Sequence, residues 1–277
     1  MKIFFVADFF LRDILGGGEL NNHELVRLLK TKGFTSKEVQ SHLVNEEWIK
    51  ERDNFVISNF INLSELCKNQ LLNKKYIIYE HDHKYVKNRN PCLYPDFKAP
   101  KEELINLNFY KNAKAVLCQS SLHLDIIHKN TGLDNLVNLG GNLWSTDSLE
   151  HMRKLCATTK EDKYCILDSH IPHKNKDDAI RYCKIKNYNY SLVSDSNYYN
   201  FLEKMSSNNG FIFFPKTPET LSRITVEARM MNMKTITNRN VGAISEPWFS
   251  LKGEELIDRM FLKRQEIADK IIRILNE

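Results

Sequence analysis

Short apolar segments alternate with longer amphipathic segments along this chain, and the alternation occurs twice. The first series runs from Ile3–Ala7 to about residue 139, and the second restarts at Tyr164–Leu167. A polar stretch that opens with Gly140-Gly141-Asn142 separates them. Because strands that alternate with helices form parallel sheets covered on both faces, the pattern predicts an α/β chain with two Rossmann-like domains.

The two series predict a first domain over residues 1–148 and a second over residues 149–277. The second ends in a charged amphipathic helix, which we expect to pack back on the first domain. Ligands of parallel sheets bind at the carboxyl ends of the strands, so two facing sheets would form a central cleft. Among the individual elements, the pattern predicts a strand over 39–44 and helices over 101–110 and 221–231.

The composition is that of a globular protein with a modest excess of positive charge. A hydrophobic fraction of 42% is ample for a core. A net charge of +5 is compatible with a phosphate-bearing ligand, a polyanionic acceptor or an anionic membrane surface, without choosing among them. The scattered cysteines form no C-x-x-C pair, which favours reduced thiols and a cytoplasmic location. No apolar run has membrane-spanning length.

The strongest candidate site is the segment 211–230, which contains a buried strand, a proline-bounded loop and a helix. We expect Glu219 at the mouth of the helix and Glu227 two turns further, near the same face. The N-terminus of a helix suits a diphosphate because it offers free N–H groups and a positive dipole end. The segment therefore predicts a phosphate site beside two carboxylates that can accept hydrogen bonds from sugar hydroxyls.

This segment resembles the E-x7-E motif of retaining GT-B glycosyltransferases, the family 4 group in particular. The resemblance implies a GT-B-type fold and a nucleotide-sugar donor, UDP- or GDP-linked. It also implies that Glu219 contacts the donor sugar, that Glu227 holds the ribose hydroxyls, and that the backbone of Leu221 and Ser222 binds the diphosphate. In that family the donor's own phosphate assists departure and attack on the same face of the sugar.

A second segment, Gly16-Gly17-Gly18-Glu19, follows the first strand and opens a helix. Glycines there allow the backbone to approach a phosphate closely. The segment is similar to the family's G-G-x-E loop, which implies that Gly17 and Gly18 face the donor diphosphate across the cleft. A turn without a ligand is the alternative. The dinucleotide fingerprint G-x-G-x-x-G is absent, which disfavours an NAD-dependent enzyme.

A third segment follows the first strand of the second series. The family carries an arginine at that strand end and a lysine a few residues later, and both grip the diphosphate. Lys174 fits the lysine position, whereas Ser169-His170 replaces the arginine. His170 is therefore a donor-binding candidate, and Arg223 is a substitute cation whose place the sequence does not give. The departure keeps open a non-catalytic nucleotide-sugar-binding protein.

A histidine cluster, His81-Asp82-His83, stands at the end of a predicted strand in the first series. Family members often carry a histidine here that contacts donor sugar or acceptor, which implies a catalytic role for His81 or His83. A metal site is the alternative, although adjacent residues of an extended chain point to opposite sides. The chain contains no D-x-D motif, and we expect neither a metal nor a cofactor.

The sequence leaves the acceptor open. A glycan or a lipid-linked sugar is the first expectation, and a modified DNA base, as used by some phage glycosyltransferases, is the alternative. Clustered cations at Lys84, Lys87 and Arg89 would be the place for a DNA contact. Finally, Asn240 to Glu246 is similar to the family's G-G-x-x-E loop near the nucleotide, although it lacks the first glycine.

Overall fold

The computed structural model describes all 277 residues and divides into two compact units. The first unit comprises residues 1–143 and 264–277, and the second comprises residues 144–263. The predicted boundary at residue 148 falls inside helix α6 (Thr146–Cys156), which lies wholly in the second unit. Both units are built on parallel sheets, so the predicted α/β class is confirmed.

The sheet of the first unit has six parallel strands in the order β2-β1-β3-β4-β5-β6. Its strands are β1 (Lys2–Ala7), β2 (Thr35–Gln40), β3 (Phe55–Ile57), β4 (Tyr76–Tyr79), β5 (Val116–Cys118) and β6 (Leu136–Asn138). Its helices are α1 (Gly17–Thr31), α2 (Glu46–Lys50), α3 (Glu65–Leu71), α4 (Leu107–Asn112) and α5 (Ser121–Thr131).

Both faces of this sheet are buried, which is why its strands are nearly continuous apolar runs. Phe4 and Val6 point into one apolar cluster, and Ile3 and Phe5 point into the other. Residues 264–277, the end of helix α10 (Gly253–Asn276), add Ile267, Ala268, Ile271 and Leu275 to the second cluster. The final turns of the chain are therefore part of the first unit's core.

The sheet of the second unit has four parallel strands in the order β10-β9-β7-β8. Its strands are β7 (Glu161–Leu167), β8 (Tyr190–Val193), β9 (Asn208–Phe213) and β10 (Lys234–Thr237). Helices α6, α7 (Lys176–Lys186), α8 (Tyr198–Ser206) and α9 (Arg223–Met230) surround it. Phe211 and Phe213 pack in the main core, whereas Ile212 packs with Ile166 on the opposite face.

Two element predictions were wrong, and one helix was not predicted. Strand β2 ends at Gln40 and a 3₁₀ turn follows, so the predicted strand over 39–44 was shifted. The predicted helix over 101–110 is broken, because only Lys101–Glu103 and α4 are helical and Asn106 has a left-handed φ of 57°. Helix α6 occupies the stretch that the sequence analysis described only as polar.

Candidate functional site

The strand order of the second sheet reverses beside β7, because β8 lies on one side of it and β9 on the other. In open α/β sheets, ligands bind outside the carboxyl ends of the strands at such a point. The loop after β7 and the loop after β9 both leave from this edge. They carry most of the donor-site residues that the sequence predicted in the second unit.

These two loops bring Lys174 and Glu219 together. The Nζ of Lys174 lies 2.7 Å from Oε1 of Glu219, and the two side chains are 25% and 16% exposed. The ammonium group also lies 5.8 Å from the centre of the Phe213 ring, at the end of β9. A cation and a carboxylate, each partly open to solvent, therefore share one place at the carboxyl edge of the sheet.

Backbone hydrogen bonds from the loop after β10 fix the position of Glu219. Its N–H donates to the carbonyl of Asn240 at 2.7 Å, and its carbonyl accepts from the N–H of Gly242 at 2.9 Å. The side-chain amides of Asn238 and Asn240 both donate to the carbonyl of Pro215, at 2.9 and 2.8 Å. The segment from Asn240 onward, which the sequence linked to a nucleotide-binding loop, thus holds the Glu219 backbone in place.

The loop after β7 is hydrogen-bonded to the loop after β9, which carries Glu219. The N–H of Lys216 donates to the carbonyl of His173, and the side chain of Asn175 donates to the carbonyl of Phe214. Asn175 has a left-handed φ of 57°, which asparagine tolerates better than most residues. His170 lies on the same loop and is exposed, but no contact links it to Lys174.

Helix α9 begins at Arg223, so Glu219 lies in the loop before it and Glu227 in its second turn. The prediction that both carboxylates share a helix face was therefore wrong. Ser222, with a left-handed φ of 72°, precedes the helix, and its hydroxyl contacts Thr225 at 2.9 Å instead of capping an N–H. Leu221 is fully buried, so any contribution it makes to a ligand comes from its backbone.

Glu227 is buried in a polar cluster that sequence reasoning missed. Its Oε1 accepts a hydrogen bond from the indole N–H of Trp144 at 2.8 Å and one from the hydroxyl of Tyr198 at 2.7 Å. Arg223 lies 3.5 Å from the same oxygen and 4.5 Å above the Trp144 ring. Burial, followed by the charge of Glu227, raises the pKa of Tyr198 well above its usual range.

In the first unit, Gly17 and Gly18 are the first two residues of α1, as predicted. The ring of His81 lies beside Gly18, where a Cβ would come within 3.5 Å of it. His81 also contacts the side chains of Asn22 at 2.9 Å and Gln119 at 2.8 Å, and it stacks on Tyr79. The structure therefore brings the glycine segment and one member of the histidine cluster together.

Glu19 lies against Gly16, the residue before this helix. Its carboxylate folds back over the helix N-terminus, where a Cβ on Gly16 would collide with it. Burial raises the pKa of Glu19, while a backbone hydrogen bond acts in the opposite direction. The N-terminus of α1 therefore holds a carboxylate from the chain itself.

His83 lies in a different environment from His81. It is 1% exposed, its Nδ1 contacts the hydroxyl of Tyr85 at 2.9 Å, and its ring meets that of His123 edge-on at 5.3 Å. Burial lowers the pKa of His123 well below its usual value. Of the two histidines that the sequence predicted for catalysis, the structure gives only His81 an opening to solvent.

Lys84 does not lie on an exposed basic surface. It is 2% exposed and forms an ion pair with Glu80, a fully buried carboxylate that also accepts a hydrogen bond from Tyr110. Burial raises the pKa of Glu80, and the charge of Lys84 opposes that rise. The expectation that Lys84 is an exposed cation ready for a DNA contact was therefore wrong.

Asp8, directly after β1, was not among the predicted residues, although an acidic residue at a strand end was a signal for it. It is 5% exposed and accepts hydrogen bonds from the N–H groups of Ile61 and Asn62, at 2.9 and 3.0 Å, and from the hydroxyl of Ser41. Asp8 thus holds the loop that follows β3 against the carboxyl end of β1.

No group of three or more histidine, cysteine, aspartate or glutamate side chains is arranged to hold a metal ion. The alternative of a metal site at His81-Asp82-His83 is therefore not supported. None of the helices combines the length and apolar character that crossing a bilayer requires.

Neither a scan against protein-family models nor a search of curated proteins finds a match. A search of solved structures does find matches. HepE from Anabaena, in complex with UDP and glucose, matches with a TM-score of 0.56 at 13% identity, over 99% of this chain and 94% of that one. The catalytic domain of starch synthase IV from Arabidopsis thaliana, bound to ADP and acarbose, matches with a TM-score of 0.57 at 9% identity and the same coverage.

An α-glucosyltransferase in complex with UDP and a 13-mer DNA containing an HMU base also matches, with a TM-score of 0.51 at 10% identity over 100% of both chains. At identities this low the similarity concerns the fold. The chain has an α/β fold of the GT-B type, as the sequence resemblance implied. Membership of family 4 and the roles of the E-x7-E residues remain predictions.

Proposed function

We propose that this chain is a retaining glycosyltransferase. It would move a sugar from a UDP- or GDP-linked donor to a hydroxyl group of a glycan or a lipid-linked sugar, without a metal or another cofactor. The observation that carries the proposal is the Lys174–Glu219 pair at the carboxyl edge of the second sheet, in a chain with the GT-B fold.

Lys174 and Glu219 suit the two ends of a sugar diphosphate. The ammonium of Lys174 would contact the diphosphate and stabilise the charge that develops on it as the sugar leaves. The carboxylate of Glu219 would accept hydrogen bonds from hydroxyls of the donor sugar. Their present contact at 2.7 Å would then be exchanged for ligand contacts, which is feasible because both side chains reach solvent.

The remaining predicted residues take supporting roles in this proposal. Glu227 would hold the ribose hydroxyls, with Trp144, Tyr198 and Arg223 fixing its orientation. The backbone of Leu221 and Ser222 at the start of α9 would bind the diphosphate, with help from the exposed His170.

In the first unit, we propose that Gly17 and Gly18 contact the diphosphate and that His81 contacts the reacting sugar. Their close approach at the start of α1 supports this grouping. A cytoplasmic location is part of the proposal, supported by the buried thiols of Cys67, Cys118, Cys165 and Cys183.

A second candidate acceptor is a modified DNA base. It is favoured by the match over full length to the α-glucosyltransferase whose structure contains DNA. Both candidates share the donor chemistry, so the acceptor can be tested separately. Duplex DNA carrying hydroxymethyluracil would be the substrate to offer, beside a panel of glycans and lipid-linked sugars.

Binding and turnover of donors test the proposal directly. UDP- and GDP-sugars would be screened by thermal shift, since a ligand that binds only the folded state raises its stability. We expect one donor to bind without a divalent metal, and transfer to an acceptor to keep the anomeric configuration, as read by NMR. Donor binding without transfer to any acceptor would favour the non-catalytic binding protein, and an inverted product would exclude the retaining reaction.

A further inference from the structure

A pocket of about 530 Å³ opens in the first unit, apart from the residues assigned to the donor. Its walls come from the segments that follow β3 and β4 at their carboxyl ends and from helix α3. Four of the lining residues are cationic, namely Lys68, Lys84, Lys87 and Arg89, whereas Glu65 is the single lining carboxylate. Glu80, Glu103 and Asp82 pair with Lys84, Lys87 and Arg89 from outside the lining, so the pocket combines a concave shape with a lining that is cationic at its surface.

Two of these lysines are held by the structure of the wall itself. Lys68 is 8% exposed and Lys84 is 2% exposed. Their ammonium groups lie 5.7 and 5.3 Å from the centre of the same ring, that of Phe60. Each has polar partners, Glu80 for Lys84 and Glu65 with Asn106 for Lys68, as buried cations require. The two ammonium groups also share the face of one aromatic ring that lines the pocket.

Lys68 donates to Oδ1 of Asn106 at 3.0 Å, and it can exchange its other partner, Glu65, for a ligand. Its Nζ lies 2.6 Å from Oε1 of Glu65, but the side chain of Glu65 is 78% exposed, against 10% for Lys68. An ion pair with one partner mostly in water contributes little to the stability of the fold. Glu65 can therefore turn out into solvent when an anion takes its place, at small cost.

Apart from Asn106, apolar side chains form the rest of the wall. Ile61 is 51% exposed and lies next to Phe60 in sequence, and Ile105 lines the pocket as well. The N–H of Ile61 is fixed by Asp8, so this wall is preformed. An apolar surface beside fixed cations matches a ligand with an apolar part next to an anionic group.

We propose that this pocket binds an amphiphilic phosphate ester, with the phosphate at Lys68 and Arg89 and the apolar chain on Ile61 and Ile105. The proposal rests on the proposed function in one respect, namely that this ester is the acceptor or part of it. It narrows the acceptor to a sugar linked through phosphate to an apolar chain.

The same observations argue against DNA in this pocket. A surface for a nucleic acid backbone presents several exposed cations along a track. Here Lys68 and Lys84 are buried and only Lys87 and Arg89 are exposed, so the lining does not present such a track. A small concave site with an apolar wall favours a small ester.

Calorimetric titration of the full chain tests the proposal with four probes: geranyl phosphate, its neutral counterpart geraniol, inorganic phosphate and a single-stranded 12-mer DNA. We expect geranyl phosphate to bind at least tenfold more tightly than either geraniol or inorganic phosphate. Lys68→Met should weaken its binding about tenfold, because the charge is lost while the stem is kept. Lys68→Arg should remain within about threefold of wild type.

Lys30→Met is the matched control, since Lys30 is an exposed lysine of α1 that lies outside the pocket lining. It should leave binding unchanged. If Lys68→Met does not fold, Arg89→Gln at a half-exposed position replaces it, with weaker binding of geranyl phosphate expected.

Three results would overturn the proposal: equal binding of geranyl phosphate and geraniol, equal binding of geranyl phosphate and inorganic phosphate, or a pocket variant that binds like wild type. Tighter binding of the DNA would overturn it in favour of a nucleic acid. Donor binding measured on the same samples separates the two proposals. If the donor binds and geranyl phosphate does not, only the pocket proposal fails, and the reverse result refutes only the donor assignment.

Discussion

Lys174 and Glu219 form one ion pair, but their proposed ligands differ, so single substitutions separate their roles. Lys174→Met should weaken binding of both the donor and its free nucleoside diphosphate about tenfold, because a hydrogen bond to a charged group contributes roughly 1.5–3 kcal/mol. Glu219→Gln should weaken only the sugar-bearing donor, by a similar factor. Calorimetric titration of both ligands measures the difference.

The charge-keeping variant Lys174→Arg is the control for this pair, and it should bind the free nucleoside diphosphate more tightly than Lys174→Met does. Equal losses for both ligands in Glu219→Gln would contradict the assignment of Glu219 to the sugar. The pair would then act only in holding the two loops together.

His123 predicts a pH dependence of the first unit's stability. Burial, and then the charges of His83 and Lys84, hold its folded pKa well below the ordinary value of 6.5. The unfolded chain thus binds a proton that the folded chain excludes, so stability is complete above about pH 6.5 and is lost as the pH falls. His123→Asn keeps an acceptor for the N–H of Gln119, which donates to Nδ1 at 3.1 Å.

Urea unfolding at several values between pH 7 and pH 5 measures this effect. As the pH falls, the free energy of unfolding of the wild type should decrease by up to about 1.4 kcal/mol per pH unit more than that of His123→Asn. This is the slope expected for the uptake of one proton on unfolding. The same slope in both proteins would show that other groups dominate the acid response.

The surroundings of the predicted site residues could be predicted only in part. The spacing to Glu219 singled out Glu227 as a candidate but gave no sign of its partners, because Trp144 and Tyr198 stand 83 and 29 residues away in the sequence. Only the fold brings those three together. For Lys84 the local sequence was misleading. Its neighbours suggested an exposed loop, whereas Lys84 is buried against Glu80 at the edge of the sheet.

At the scale of elements, the buried strands were predictable because burial on both faces requires an apolar run. Edge strand β2 was misplaced, since its residues alternate between exposed and half-buried and lack such a run. The helix predicted over 101–110 fails because Leu104 pairs with Val86 and the N–H of Ile105 donates to Tyr85. Pairing with a distant segment overrode the local helical pattern.

Helix α1 offers a test at this scale. Gly18→Ala should stabilise the fold by about 0.3 kcal/mol, less than in a helix interior because Gly18 is the second residue of the helix. The added Cβ would lie 3.5 Å from His81, an ordinary contact. If the glycine is there to let a diphosphate approach, the variant should bind the donor more weakly while melting higher.

Gly16→Ala is the comparison for this variant. Gly16 is the N-cap residue of α1, where alanine is less favourable than glycine, so the substitution should lower the melting temperature instead. Unchanged donor binding in a stabilised Gly18→Ala variant would show that Gly18 does not need to be a glycine for the ligand.

At the scale of the whole molecule, the sequence predicted two α/β units but placed their division in a polar stretch. The division follows Leu143 because α6 packs Leu149, Met152 and Leu155, three residues apart, into the second core. The end of the chain returns to the first unit, where Arg264 pairs with the buried Glu24 and Lys32 lies 2.7 Å from Asp269. Contacts between residues more than 200 positions apart leave no local pattern in the sequence from which they could be predicted.

Two leucines of helix α10 test how much the first unit depends on the end of the chain. Leu275 is fully buried in the core that contains β1 and β4, whereas Leu262 is 59% exposed. Leu275→Ala should therefore destabilise the first unit by about 2–5 kcal/mol, the cost of a core cavity, and Leu262→Ala should cost less than about 0.5 kcal/mol. Hydrogen exchange followed by mass spectrometry reports on each unit separately. Faster exchange is expected in β1 and β4 of Leu275→Ala, with β7 and β9 unchanged. Equal effects of the two substitutions, or a loss of protection confined to the second unit, would mean that residues 264–277 do not stabilise the first core.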